Sequence, residues 1–310
     1  MNEIKEQGKV IRGLGGAFTV ALPSGACYTC RAKGSLKRND GRLLVGDDVV
    51  LRIPMAEQEG VVVEEILPRR CALIRPPLAN VTHMVLALSG AYPAPALTTV
   101  DKLLAICAHE RITPILAVTK QDIAKAEGDA LAALYTAAGY PVFTLSSLTG
   151  DGVAPLKDFL EVSLKDGGIA AFAGASGVGK STLLTALFPA LSLETGTLSE
   201  KTERGRHTTR HVELFPFSGG YVADTPGFSL LDFEHFDFFA LEDLVSSFPD
   251  FTPYTDACRY DDCTHTKEEG CAVLAAIREG CVAQSRHDTY VELYAILKAK
   301  KSSYPKKTGK

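Results

Sequence analysis

Two stretches of this sequence hold residue types whose spacing could bind a nucleotide. The first, "GASGVGKS" at Gly174 to Ser181, fits the phosphate-loop pattern GxxxxGK[ST]. Gly174 and Gly179 let the backbone curl until successive N–H groups point inward at a β-phosphate, a path that a Cβ would obstruct. The candidate phosphate site is Gly174, Ala175, Ser176, Gly177, Val178 and Gly179, then Lys180 for the β/γ oxygens, Ser181 for Mg²⁺, and Thr182. The second stretch, "TKQD" at Thr119 to Asp122, follows the apolar run Ile115 to Val118. Its Asp122 carboxylate could accept hydrogen bonds from N1–H and N2–H₂ of guanine, while the Lys120 stem covers one face of the base. Ser146 and Ser147, after the next predicted strand, would reach the O6 side.

Downstream, "YVADTPGF" ends a predicted strand at Asp224, whose carboxylate could hold a Mg²⁺-bound water, and Gly227 could offer its N–H to a γ-phosphate. Between the two lies "KTERGRHTTRHVEL", polar and suited to a segment ordered by γ-phosphate and Mg²⁺, with Thr208 or Thr209 as a second hydroxyl ligand. Base-reading residues, phosphate loop, switch threonines and DxxG form a complete set, but the base-reading pair comes first. That order predicts a circularly permuted GTPase domain. Where Ras-like enzymes place a water-orienting Gln just after DxxG, this chain has Phe228, so intrinsic hydrolysis is expected to be slow and accelerated on a partner. His207 is the candidate to position water. A contact between His207 and the partner is the alternative.

Cys258, Cys263, His265 and Cys271 are spaced C-x4-C-x-H-x5-C, which suits a closed, tetrahedral structural Zn²⁺ site. Cys281 falls outside that spacing and is expected to pack in helical surroundings. Cys27 and Cys30 form a CxxC, but on a strand residues three apart face opposite ways, so they are read as strand residues.

These residues need elements to hold them. Short β-prone runs at 18–22, 49–53 and 60–66, separated by Pro, Gly, Asn and Asp turns, predict an OB-like β-barrel to about residue 70. Its Arg31, Lys33, Lys37, Arg38 and Arg42 could follow an RNA backbone, or form a solvated loop. From residue 81, apolar runs alternate with amphipathic helices at 97–110, 124–138 and 153–164, which predicts a mainly parallel sheet covered by helices. In such sheets ligands bind at the carboxyl ends of strands, where these motifs fall. The predicted domains are 1–70, 71–232 and 233–310, the last mostly helical with a basic tail.

Composition sets the outer bounds. The chain has 310 residues, 46% of them hydrophobic, and a net charge of −4. No apolar run approaches the ~18 residues of a membrane span, and the charged N-terminus lacks the apolar core of a secretory signal. A cytoplasmic protein with no membrane contact is expected, and in a reducing compartment clustered cysteines suggest metal.

Taken together, GASGVGKS, GRHTT and DTPGF, a β-domain in front and a Cys/His cluster behind closely resemble the ribosome small subunit-dependent GTPase A family over essentially the whole chain. The resemblance implies an OB-fold domain, a permuted GTPase domain and a zinc domain, with all four Cys/His residues as ligands. It further implies action late in maturation of the small ribosomal subunit, with that subunit and its rRNA as partners, GTP and GDP as ligands, and Mg²⁺ and Zn²⁺ as cofactors. A monomer is expected. Thr119 departs from the Asn usual in the family. The alternative function is a non-catalytic, GTP-gated RNA-binding adaptor; an ATPase is disfavoured by Asp122.

Overall fold

The computed structural model describes residues 3–33, 42–54, 60–189, 212–224 and 237–303. They group into two compact units.

The first unit takes in Met1–Val85, Val153–Ala173 and Lys180–Phe228. It opens with five strands: β1 (Glu3–Leu14), β2 (Ala17–Ala21), β3 (Cys27–Ala32), β4 (Asp48–Pro54) and β5 (Val62–Ile66). They pair in the order β1-β2-β3-β5-β4, and β4 returns to β1, closing a barrel as expected. The length of β1 makes closure possible. Its first half pairs with β4 and its second half with β2, with an irregular register between Val10 and Arg12 where the strand bends. Alternate residues point inward, so Val10, Val20, Cys30, Val49, Leu51 and Val63 share one core. Cys27 is exposed while Cys30 is buried, as opposite faces of β3 require.

After the two-residue strands β6 (Ala72–Leu73) and β7 (Leu78–Ala79) comes β8 (His83–Ser89), which belongs to this unit only up to Val85; the unit resumes with α3 (Val153–Leu164) and β11 (Ile169–Gly174). It continues with α4 (Lys180–Leu187), β12 (Glu213–Phe217) and β13 (Gly220–Asp224). β13 runs parallel to β11 and antiparallel to β12, and β12 meets β1 at Glu213 and Arg12. The predicted strand ending at Asp224 is therefore present.

The second unit takes in Leu86–Gly152, Gly174–Gly179 and Ser229–Lys310. It holds α1 (Leu97–His109), β9 (Thr113–Thr119), α2 (Lys125–Ala137) and β10 (Val142–Thr144), with strand order β10-β9-β8. β9 and β10 are parallel. Ile115 to Thr119 are all buried, with no alternation, because both faces of the strand are covered. Short 3₁₀ turns at Leu241–Asp243, Val245–Ser247 and Pro249–Phe251 lead into α5 (Thr252–Thr255), α6 (Ala272–Arg278) and α7 (Gln284–Ser303). Cys281 lies in helical surroundings, with its thiol hydrogen-bonded to Tyr254 of α5, but it is not buried there. It is exposed in the turn after α6, where Gly280 adopts a φ of +77°. Among the described residues no helix is long and apolar enough to cross a membrane.

Candidate functional site

In the second unit TKQD and the phosphate loop are tied together by side chains. Thr119 is buried at the end of β9, and its Oγ1 lies 2.9 Å from the Leu88 carbonyl and 2.7 Å from the Val178 carbonyl. One hydroxyl proton is shared between two acceptors, where an Asn would have two N–H donors. Thr119 thus supports the phosphate loop without facing a ligand. Lys120 sits at a φ of +60°, and its Nζ donates to the Gly177 carbonyl at 2.9 Å and the Tyr92 carbonyl at 2.7 Å. Asp122 is exposed, so its carboxylate is open to a ligand.

The serine pair is held by its own turn. Ser146 N–H donates to the Asp151 carbonyl at 2.9 Å, the Ser146 carbonyl accepts from Gly150 N–H at 2.9 Å, and Ser146 Oγ accepts from Thr149 N–H at 3.3 Å. Ser147 Oγ is buried with no partner among the described residues. The backbone links the two loops again, through Gln121 N–H to the Leu145 carbonyl at 3.3 Å.

The phosphate loop has the backbone that its glycines predict. A Cβ on Gly174 would lie 2.7 Å from the Ala87 carbonyl oxygen, and Gly179 has a φ of +100°, which side-chain-bearing residues rarely adopt. Lys180 opens α4, so Ser181 and Thr182 lie in its first turn. Asp224 is the last residue of β13. His207, Thr208, Thr209 and Gly227 lie outside the described residues, as do Lys37 and Arg38. Arg31 on β3, Lys33 just after it and Arg42 ahead of β4 are exposed.

Cys258, Cys263, His265 and Cys271 converge, their ligand atoms all within 4.8 Å of one another. Cys258 Sγ and Cys271 Sγ are 3.9 Å apart, and His265 Nδ1 is 3.5 Å and 3.6 Å from them. Burial, and after it the neighbouring thiols, push the Cys263 thiol up to about 12. Sequence reasoning missed the residues that shape this loop. Glu268 accepts from the backbone N–H of Thr264, Thr266 and Lys267 and from the Thr264 hydroxyl. Burial opposes its charge, but these bonds prevail and hold its carboxyl down at about 2. From α7, His287 Nε2 bonds the His265 carbonyl at 2.7 Å and Tyr290 donates to the Thr264 carbonyl at 2.9 Å. The T-x-x-x-E spacing of Thr264 and Glu268 was the available signal for the first of these.

Comparison with known proteins decides what this arrangement belongs to. Residues 66–234 match the RsgA GTPase family model and residues 7–62 the RsgA N-terminal domain. The chain belongs to the RsgA GTPase family. Two curated relatives, from Moorella thermoacetica and Geobacillus kaustophilus, are each named small ribosomal subunit biogenesis GTPase RsgA. Both are 39% identical to it over 96% of this chain and 99% of their own. Among solved structures, YjeQ from Thermotoga maritima superposes with a TM-score of 0.78 at 28% identity, covering 95% of this chain and 99% of that one. YloQ, described as a circularly permuted GTPase, superposes with a TM-score of 0.76 at 32% identity, covering 97% and 98%. The permuted motif order is thus that of a GTP-hydrolysing enzyme of this family.

Proposed function

We propose that this GTPase acts in maturation of the small ribosomal subunit and that the subunit stimulates its hydrolysis of GTP to GDP. The observation that carries the nucleotide reading is the pair of side chains, Thr119 and Lys120, that fastens TKQD to the phosphate-loop carbonyls of Val178 and Gly177. These ties join TKQD to Gly177 and Val178 within the second compact unit despite the reversed motif order, which supports the nucleotide reading. The proposed roles follow. Asp122, Ser146 and Ser147 read guanine, with Lys120 beneath it and Thr119 behind. Gly174 to Gly179, Lys180 and Thr182 hold the phosphates, and Gly227 meets the γ-phosphate. Mg²⁺ takes Ser181, Thr208 or Thr209, and Asp224 through water. His207 positions the attacking water.

The relatives' names support the ribosomal assignment. Arg31, Lys33, Lys37, Arg38 and Arg42 are proposed to meet rRNA. The domains are proposed as 1–70, 71–232 and 233–310, in a cytoplasmic monomer. Hydrolysis measured alone, with small subunits and with large subunits tests the assignment. Acceleration by small subunits alone is expected; equal rates in all three would refute it.

The metal is proposed to be Zn²⁺. Tetrahedral bonds of about 2.3 Å to sulfur and about 2.0 to 2.1 Å to nitrogen give edges of about 3.8 Å between sulfurs and about 3.6 Å from sulfur to nitrogen. The three separations among Cys258, His265 and Cys271, 3.9, 3.5 and 3.6 Å, match, and all four ligand atoms lie within 4.8 Å of one another. Metal analysis after chelator-free, reducing purification should find about one Zn²⁺ per chain. Cys263→Ala should release it and raise protease sensitivity between residues 250 and 280; metal-free wild-type protein would sink the assignment.

A further inference from the structure

A buried charge cluster lies apart from both the nucleotide loops and the metal ligands. Arg286, on α7, is fully buried. Its guanidinium bonds Asp101 on α1 at 3.2 Å, Asp250 at 2.7 and 3.1 Å, and the Tyr140 hydroxyl at 3.1 Å, and lies 4.7 Å from the Phe248 ring centre. Asp101, also fully buried, further accepts from the hydroxyls of Tyr135 and Thr289, each at 3.2 Å. One turn on, Glu292 of α7 meets Lys102 of α1 at 2.6 Å. Burial alone would lower the pKa of Arg286, but Asp250, Asp101 and Tyr140 raise it overall, so the residue stays charged. Apolar packing of similar volume would hold two helices as well or better. A buried, branched ionic joint instead fixes one register between them.

The neighbours of Arg286 give this register a use. On the same helix His287 and Tyr290 grip the carbonyls of His265 and Thr264 in the metal-ligand loop. At the other side of the joint, α1 begins at Leu97, a few residues after Tyr92, whose carbonyl takes the Lys120 ammonium. The same ammonium holds Gly177 of the phosphate loop. Hydrogen bonds therefore lead from the metal loop through α7 and Arg286 to Asp101 on α1, and from the start of α1 the covalent chain continues back to Tyr92, whose carbonyl takes Lys120. All of it lies within the second compact unit.

We infer that Arg286 is a positioning residue for nucleotide binding, which couples the Cys/His metal loop to the guanine and phosphate loops by docking α7 on α1. The inference rests on the proposed nucleotide and metal sites. With the four ligands engaged, the loop holds His265 and Thr264 in place, α7 is docked, and Lys120 is pre-organised for a base. With the ligands released, α7 loosens, the α1 register is no longer imposed, and Lys120 loses one of its two anchors. Coupling between such sites is typically worth five- to 150-fold in affinity and is reciprocal.

The test uses the full chain and GDP, so that hydrolysis plays no part. GDP affinity is measured by titration calorimetry on zinc-loaded and chelator-stripped protein, and zinc affinity by chelator competition with and without GDP. Stripping should weaken GDP binding by about fivefold or more, and GDP should tighten zinc binding by the same factor. Arg286→Lys keeps the charge but cannot span Asp101, Asp250 and Tyr140 together. It should retain stoichiometric zinc while GDP affinity becomes independent of metal. If GDP binds wild-type protein equally well with and without zinc, or if the Lys variant keeps the full coupling, the inference fails. If the variant does not fold, the wild-type measurements decide alone. Protein that binds no GDP at all, loaded or stripped, overturns the nucleotide site itself, and with it the coupling.

Discussion

Asp122→Asn should exchange guanine for xanthine as the preferred base. Guanine presents two donors, N1–H and N2–H₂, to a carboxylate that only accepts. Xanthine keeps N1–H but carries a carbonyl in place of the amino group, so an amide, with one acceptor and one donor, matches it. A hydrogen bond to a charged group contributes about 1.5 to 3 kcal/mol, and the variant also sets an N–H against the guanine amino group. The loss for GDP should thus be on the order of a hundredfold or more. A direct titration with GDP and XDP measures it. Because Asp122 is exposed and takes no part in the ties that fasten TKQD to the phosphate loop, the fold should be unaffected, and thermal melting should show little change. Unchanged GDP affinity would mean that TKQD does not read the base.

The features legible in the sequence are those whose physics is local. The phosphate loop is legible because glycines at fixed offsets, a strand before and a helix after are all written within about twenty residues. The parallel strands are legible because full burial leaves an uninterrupted apolar run, as in Ile115 to Val118. The metal cluster declares itself through ligand types within one short loop. What could not be read is what joins these pieces. Arg286 and Asp101 are 185 residues apart in the chain, and each looks in sequence like a charge on the polar face of a helix. Only the packed structure shows both at zero exposure. Backbone acceptors were equally hidden. Lys120 finds carbonyls at Tyr92 and Gly177, and a carbonyl carries no residue-type signature. Thr119 shows the intermediate case. Its departure from Asn was visible, but its hydroxyl sharing between Leu88 and Val178 needed coordinates.

His207→Ala should remove most of the subunit-stimulated hydrolysis while sparing GTP affinity and subunit binding. Phe228 occupies the position where a Gln would orient water and has no group able to hydrogen-bond it. The isolated enzyme should therefore turn over slowly. His207 sits in GRHTT beside the threonines proposed for Mg²⁺, so a partner that fixed this segment would bring an imidazole to the γ-phosphate. In GTPases a group delivered to the transition state by a partner can be worth 10³ or more, so even partial ordering should give at least roughly tenfold stimulation. A side chain that acts only in the transition state affects kcat and kcat/KM together and leaves ground-state binding alone. Single-turnover hydrolysis with small subunits, alongside nucleotide titration and co-sedimentation, separates the outcomes. A variant with full stimulated turnover would remove His207 from the chemistry. One that loses subunit binding would make His207 a contact, and the water would then have to be positioned by another group.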